Sequence, residues 1–235
     1  AIECKKSGVN ALIVEKGKAL YSGCTVIAPG GMAGINPAWS RKGDSIKKHF
    51  EDTMRAGTYL NNPELVDLFT KEAGIAIEQL EQMGAFWEKD SHSKKYKLRK
   101  GGGHRYPRSV FLEDHVGAEM MHTLYSQVIK KEIEILDNIL ILEIIVYQNI
   151  TYGAIGLDLV NSEIIFFDCK AVILATGGAG QLFKQTDNSL GSTGDGLKLA
   201  LEAGASLVDI EFVQFYPIGF LFPPSLRGKI AGMLY

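Results

Sequence analysis

Apolar residues recur at two spacings along this chain, and the changes between them mark its elements. Residues 1–7 read as the last turns of a helix closed by Gly8, and 10–15 (N-A-L-I-V-E) as a buried parallel strand ending in an acid. Small residues and prolines break 16–37 into a loop. Helical spacing then covers 44–56, with Asp44 or Ser45 as the cap. A second helix opens at Asn62-Pro63, keeps Leu65, Leu68, Phe69, Ala76, Leu80 and Met83 in helical register, and ends at Gly84. After a basic, glycine-rich loop at 94–108, Asp114 is expected to cap a third helix bearing Met120, Met121, Leu124, Tyr125 and Val128. From 133 the pattern turns β-rich, with strands expected at 139–147, 152–160, 164–167 and 171–175. A short helix at 193–203 precedes Gly204.

This order predicts an α/β protein with an antiparallel insertion. Composition narrows the function classes. The chain has 235 residues, 46% hydrophobic and 22% charged, with a net charge of −2, which suits a globular core and offers no basic excess for nucleic acid. No apolar run approaches the ~18–20 residues of a membrane span. Cys4, Cys24 and Cys169 form no C-x-x-C pair, and the histidines show no metal spacing, so no metal site is expected. The helix tail at the start and the uncapped end after Leu226 predict part of a longer chain. Glycine is in excess, 26 residues or about 11% against a usual ~7%, and it is clustered.

Four clusters carry candidate chemistry. The strand ending at Glu15 fits the second strand of a dinucleotide-binding βαβ unit, where an acid takes a ribose and a glycine turn lies ~20 residues earlier, here upstream of Ala1. Alone, Glu15 reads more readily as a surface acid after a strand. The second cluster, S-G-C-T-V-I-A-P-G-G-M from Ser22 to Met32, gives backbone that can lie close to a ligand. The third is A-V-I-L-A-T-G-G-A-G, a strand opening onto Thr176 and Gly177. The fourth is S-T-G-D-G, placing Asp195 in a first helical turn, where it either meets a ligand hydroxyl or complements the helix dipole.

Together with L-E-Q-M-G-A-F, G-G-G-H-R-Y-P-R, M-H-T-L-Y and E-F-V-Q-F-Y-P-I-G, these motifs resemble the fumarate reductase/succinate dehydrogenase flavoprotein family, which includes L-aspartate oxidase. The resemblance implies a Rossmann-like FAD-binding fold with helical and β-meander insertions, truncated at its N-terminal glycine-rich turn. It implies an FAD-binding domain over 1–219 and, over 220–235, the approach to a capping domain. Cofactor contacts are implied at Glu15, Lys16, Ser22, Gly23, Cys24, Thr25, Ala28, Gly30, Gly31, Thr176, Gly177 and Asp195. The implied reaction moves a hydride between flavin N5 and a C4 dicarboxylate, and the implied electron partner is an iron–sulfur subunit. The location implied is cytoplasmic, or peripheral on a membrane through partner subunits. The catalytic arginines would lie beyond Tyr235, so 1–235 alone is expected to be inactive. L-aspartate oxidase and a non-catalytic FAD-fold module are the alternatives.

Two positions depart from the family pattern. Cys24 stands where covalently flavinylated members carry histidine; a thioether is conceivable there, but the expectation is non-covalent FAD. Tyr216 stands where many members have a substrate-binding histidine, and Ile218 replaces a threonine. Tyr216 is a candidate substrate contact or a core aromatic before Pro217. His104, Arg105 and Arg108 form a basic loop that either faces acid groups or, the favoured expectation, is solvated.

Overall fold

The computed structural model describes residues 1–216, 219–220 and 222–226. The chain divides into two compact units, Ala1–Val26 with Val128–Tyr235, and Ile27–Gln127.

The first unit opens with α1 (Ile2–Lys6), and Gly8 follows it at φ +74°. Strand β1 (Leu12–Val14) pairs in parallel with a later strand, Leu12 opposite Glu134 and Val14 opposite Leu136. The ladder continues through the Glu15 amide, which donates to the Leu136 carbonyl at 2.9 Å.

The second unit holds β2 (Met32–Ala33), α2 (Ile46–Ala56), α3 (Pro63–Gln82), β3 (Ser109–Val110) and the start of α4 (Val116–Lys130). Strands β2 and β3 pair antiparallel. Ser45 caps α2 by accepting from the Lys48 amide at 3.2 Å. Asn62 caps α3 through Oδ1, which accepts from the Glu64 and Leu65 amides. Both caps match the sequence expectation, because each places a short side-chain acceptor beneath amides that lack a helical partner. The core gathers Trp39, Ile77, Ala85, Trp87, Tyr96, Val110, Phe111 and Val116. Trp39 and Tyr96 meet edge to face with centroids 5.3 Å apart.

The expectation for Asp114 is corrected. Helix α4 begins two residues later, with the His115 carbonyl accepting from the Glu119 amide, while the Asp114 carboxylate lies 3.6 Å from Arg99. A nearby guanidinium offers an anion a stronger partner than one backbone amide.

The rest of the first unit is β4 (Glu134–Leu136), the partner of β1, then an antiparallel meander of β5 (Ile139–Tyr147), β6 (Ile150–Asp158) and β7 (Ile164–Asp168), and α5 (Asp195–Glu202). Gln148 and Asn149 turn the first hairpin, both at positive φ, which matches the right-handed twist of the strands they join. Ile133, Ile139, Ala154 and Leu199 are buried.

The strand expected at 171–175 is absent. Residues 171–179 form no ladder, and Ile173 is 76% exposed. An apolar run signals burial only if a neighbouring strand takes its amides and carbonyls, and no described strand does so. The α/β class itself holds.

Candidate functional site

The sequence-predicted residues of the first unit converge from three separate segments. Lys16 follows β1, Thr176 lies in the glycine-rich stretch, and Asp195 begins α5. The Lys16 ammonium donates to the Asp195 carboxylate and, at 2.6 Å, to Thr193 Oγ1. Thr193 Oγ1 in turn donates to Asp195 Oδ2 at 2.9 Å. The hydrogen bond from Lys16, supported by that from Thr193, holds the Asp195 carboxyl below the usual carboxylate range against the opposing effect of burial. Gly194, at φ +81°, turns the chain into the helix. Gly196 is a glycine for steric reasons, since a Cβ there would overlap the Thr176 hydroxyl. The two glycine motifs of the sequence therefore pack directly against each other.

A second tie joins the same loop to the same approach. Cys24 Sγ lies 3.1 Å from Ser192 Oγ and accepts from the Ser189 amide at 3.4 Å. Glu15 Oε1 accepts from the Gly17 amide at 2.9 Å, and Ser22 Oγ from the Lys18 amide at 2.7 Å. These side chains thus order the loop that carries them. Thr25 starts a short 3-10 turn, Thr25–Ile27.

The backbone between these ties is open. Gly23 (φ +84°) and Gly177 (φ +72°) have nothing within 4 Å of the place a Cβ would take. Open glycines flanked by a lysine and a helix N-terminus fit a ligand that bears phosphates and hydroxyls. FAD is such a ligand, so the residues present fit it.

The other predicted contacts lie in the second unit. Gly30 (φ +101°) is also open. Gly31 is not, because a Cβ there would come 2.6 Å from the Val110 carbonyl, so close strand pairing explains it. The Ala28 carbonyl accepts from the Gly117 amide at 3.1 Å. In the first unit, Tyr216 is 43% exposed. Its neighbours Pro217 and Ile218 lie outside the described residues.

The solvated-loop expectation is overturned for Arg108. Its guanidinium is buried in the second unit, bidentate to Asp44 at 2.8 Å and donating to Asp52 at 2.7 Å. Arg105 Nε and Arg55 Nη2 reach the same Asp52 at 2.6 and 2.9 Å. Burial alone would raise the Asp52 pKa, but hydrogen bonds from Arg105 and Arg108 outweigh it and hold the carboxyl well below its usual range. Beside this network the rings of His49 and His104 lie 5.5 Å apart. Burial first, and the Arg108 charge second, lower the His49 pKa to about 4.

Among known families, the FAD binding domain family matches residues 1–229 of this chain. The chain belongs to that family. One subunit of the CoM/CoB fumarate reductase of Methanothermobacter marburgensis is 38% identical over 234 residues, covering 98% of this chain and 42% of that protein. L-aspartate oxidase of Streptomyces coelicolor is 33% identical over 233 residues, covering 97% of this chain and 39% of its own length. The solved structure of Mycobacterium smegmatis Sdh1 in complex with UQ1 superposes with a TM-score of 0.92 at 33% identity, over 97% of this chain and 40% of that one. This FAD-binding chain thus spans about two-fifths of the length of these relatives. The flavoprotein resemblance, the FAD-binding α/β fold and FAD as cofactor all stand. Among the described residues no helix is long and apolar enough to cross a membrane, and no cluster of three or more His, Cys, Asp or Glu is set to hold a metal.

Proposed function

We propose that this chain is the FAD-holding part of a fumarate reductase or succinate dehydrogenase flavoprotein. The observation that carries the reading is the meeting of Lys16, Thr176 and Asp195 around open glycine backbone. FAD, when bound, supplies the two-electron chemistry, exchanging a hydride with a C4 dicarboxylate. The chain's own residues bind and orient. Glu15 would accept from the adenosine ribose, since a carboxylate has acceptor capacity beyond its bond to Gly17. In the first unit the backbone at Ser22, Gly23, Thr25 and Gly177 would hold the cofactor, with Cys24 a non-covalent neighbour, and in the second unit Ala28, Gly30 and Gly31 are further candidate contacts. Tyr216 would donate its hydroxyl to a substrate carboxylate. Residues 1–219 serve as the FAD-binding domain and 220–235 lead to a capping domain. An iron–sulfur subunit carries the electrons, at a peripheral membrane location or in the cytoplasm.

The test uses the intact protein. The expected result is a flavin spectrum, flavin released by acid or heat, fumarate reduction with a low-potential donor, and no such activity from 1–235 alone. Oxidation of L-aspartate with peroxide release instead would move the assignment to L-aspartate oxidase, whose relatives also match. A folded intact protein without flavin would overturn the reading.

A further inference from the structure

We infer that Lys16 is a positioning residue for FAD: through Thr193 and Asp195 it latches the loop after β1 onto the N-terminus of α5, and so fixes the backbone between them. The inference rests on the reading above and adds to it, because a lysine beside a cofactor loop is otherwise taken as a direct charge partner of the cofactor phosphates.

Three observations support the latch. The ammonium is already engaged by two partners on one short segment, Thr193 Oγ1 and the Asp195 carboxylate. Those partners also bond each other, so the three groups close a ring spanning 179 residues of sequence. A second link between the same segments, Cys24 to Ser189 and Ser192, stands independently of it. A loop held at both ends presents its amides in one arrangement, and the ordering cost is met in folding, before the ligand arrives. The low-lying Asp195 pKa agrees with a carboxylate that stays ionised to hold the lysine.

The latch and a direct contact differ in how substitutions combine. If Lys16 acts through Asp195, breaking either partner breaks one unit, and breaking both costs no more. The experiment titrates the apo form of the intact protein with FAD, following the quenching of flavin fluorescence. Its variants are wild type, Lys16→Met, Asp195→Asn, the double variant and Lys16→Arg, each with its fold checked by circular dichroism. Each single variant is expected to weaken FAD binding about 10- to 100-fold, with the double variant within about threefold of the weaker single. Lys16→Arg keeps the charge and the donors, so it is expected to bind within about threefold of wild type, a rescue that general loss of fold would not give. Losses that multiply in the double variant would overturn the latch and make Lys16 and Asp195 independent contacts. A folded Lys16→Arg protein as weak as Lys16→Met would overturn it as well. If wild type binds FAD and these losses multiply, only the latch falls; if wild type binds none, the proposed function falls with it.

Discussion

Each unit holds a basic side chain against aspartate, but with very different access to water. In residues 27–127, Arg108, Asp44 and Asp52 have side chains with no exposed surface. In the other unit, the side chains of Lys16 and Asp195 are 28% and 36% exposed and stand beside open glycines. Sealed charges must be matched donor for donor, since nothing else solvates them, and the bidentate arginine does this. Half-open charges need no such completeness, because water solvates what the partner leaves. The first arrangement holds the glycine-rich 101–108 loop to α2; the second orders backbone around a site.

The largest expected effect comes from breaking the sealed network. Arg108→Met keeps the length of the side chain and removes its charge, leaving Asp44 and part of Asp52 buried without a cation. The expected loss is about 3–5 kcal/mol of stability. Both tryptophans of the chain, Trp39 and Trp87, sit in the core of this unit, so their fluorescence during urea unfolding reports on it directly. A loss under about 1 kcal/mol would mean that water reaches the network and that the contrast between the regions is false.

Acid probes the same region more gently. His49 is buried on α2 with Nδ1 unbonded, near Arg108, His104, Asp44 and Asp52. Its folded pKa of about 4 lies below the ordinary 6.5, so the unfolded chain takes up a proton that the folded one refuses. Stability is therefore unaffected above about pH 6.5 and falls as the pH drops from there towards 4, by up to about 3 kcal/mol. His49→Phe cannot take up that proton and keeps a ring against Phe69. Its tryptophan-monitored urea midpoint is expected to fall less between pH 7 and 4.5 than that of wild type. An equal fall in both would assign the acid sensitivity to the carboxylates alone.

How much of this was legible in the sequence follows from the range of each interaction. The caps Ser45 and Asn62 and the strand 139–147 were readable, because their signals lie within a few residues. The Arg108 network was not, since its partners lie 64 and 56 residues away and G-G-G-H-R-Y-P-R has the composition of a solvated loop. The apolar run at 171–175 misled for a related reason, because a strand is defined by a neighbour that local pattern does not contain. At the site, Gly196 has a steric reason that its motif alone did not state, since a Cβ there would meet Thr176. That Lys16 would meet Asp195 across 179 residues was not written in either motif.

The smallest expected effect on stability separates the two regions most sharply. Lys16→Met removes an ion pair as surely as Arg108→Met does, yet the expected cost to folding is under about 1 kcal/mol. Water reaches both partners of the pair, so the stranded Asp195 is re-solvated and keeps its bond from Thr193. Hydrogen exchange of the β5–β6 ladder reports on this unit, which contains neither tryptophan. Protection there is expected to be nearly unchanged while FAD affinity drops about 10- to 100-fold. A large loss of protection would mean that the Lys16–Asp195 pair holds the fold together as the Arg108 network does, and the distinction between a structural and a ligand-facing ion pair would fail at the half-open end.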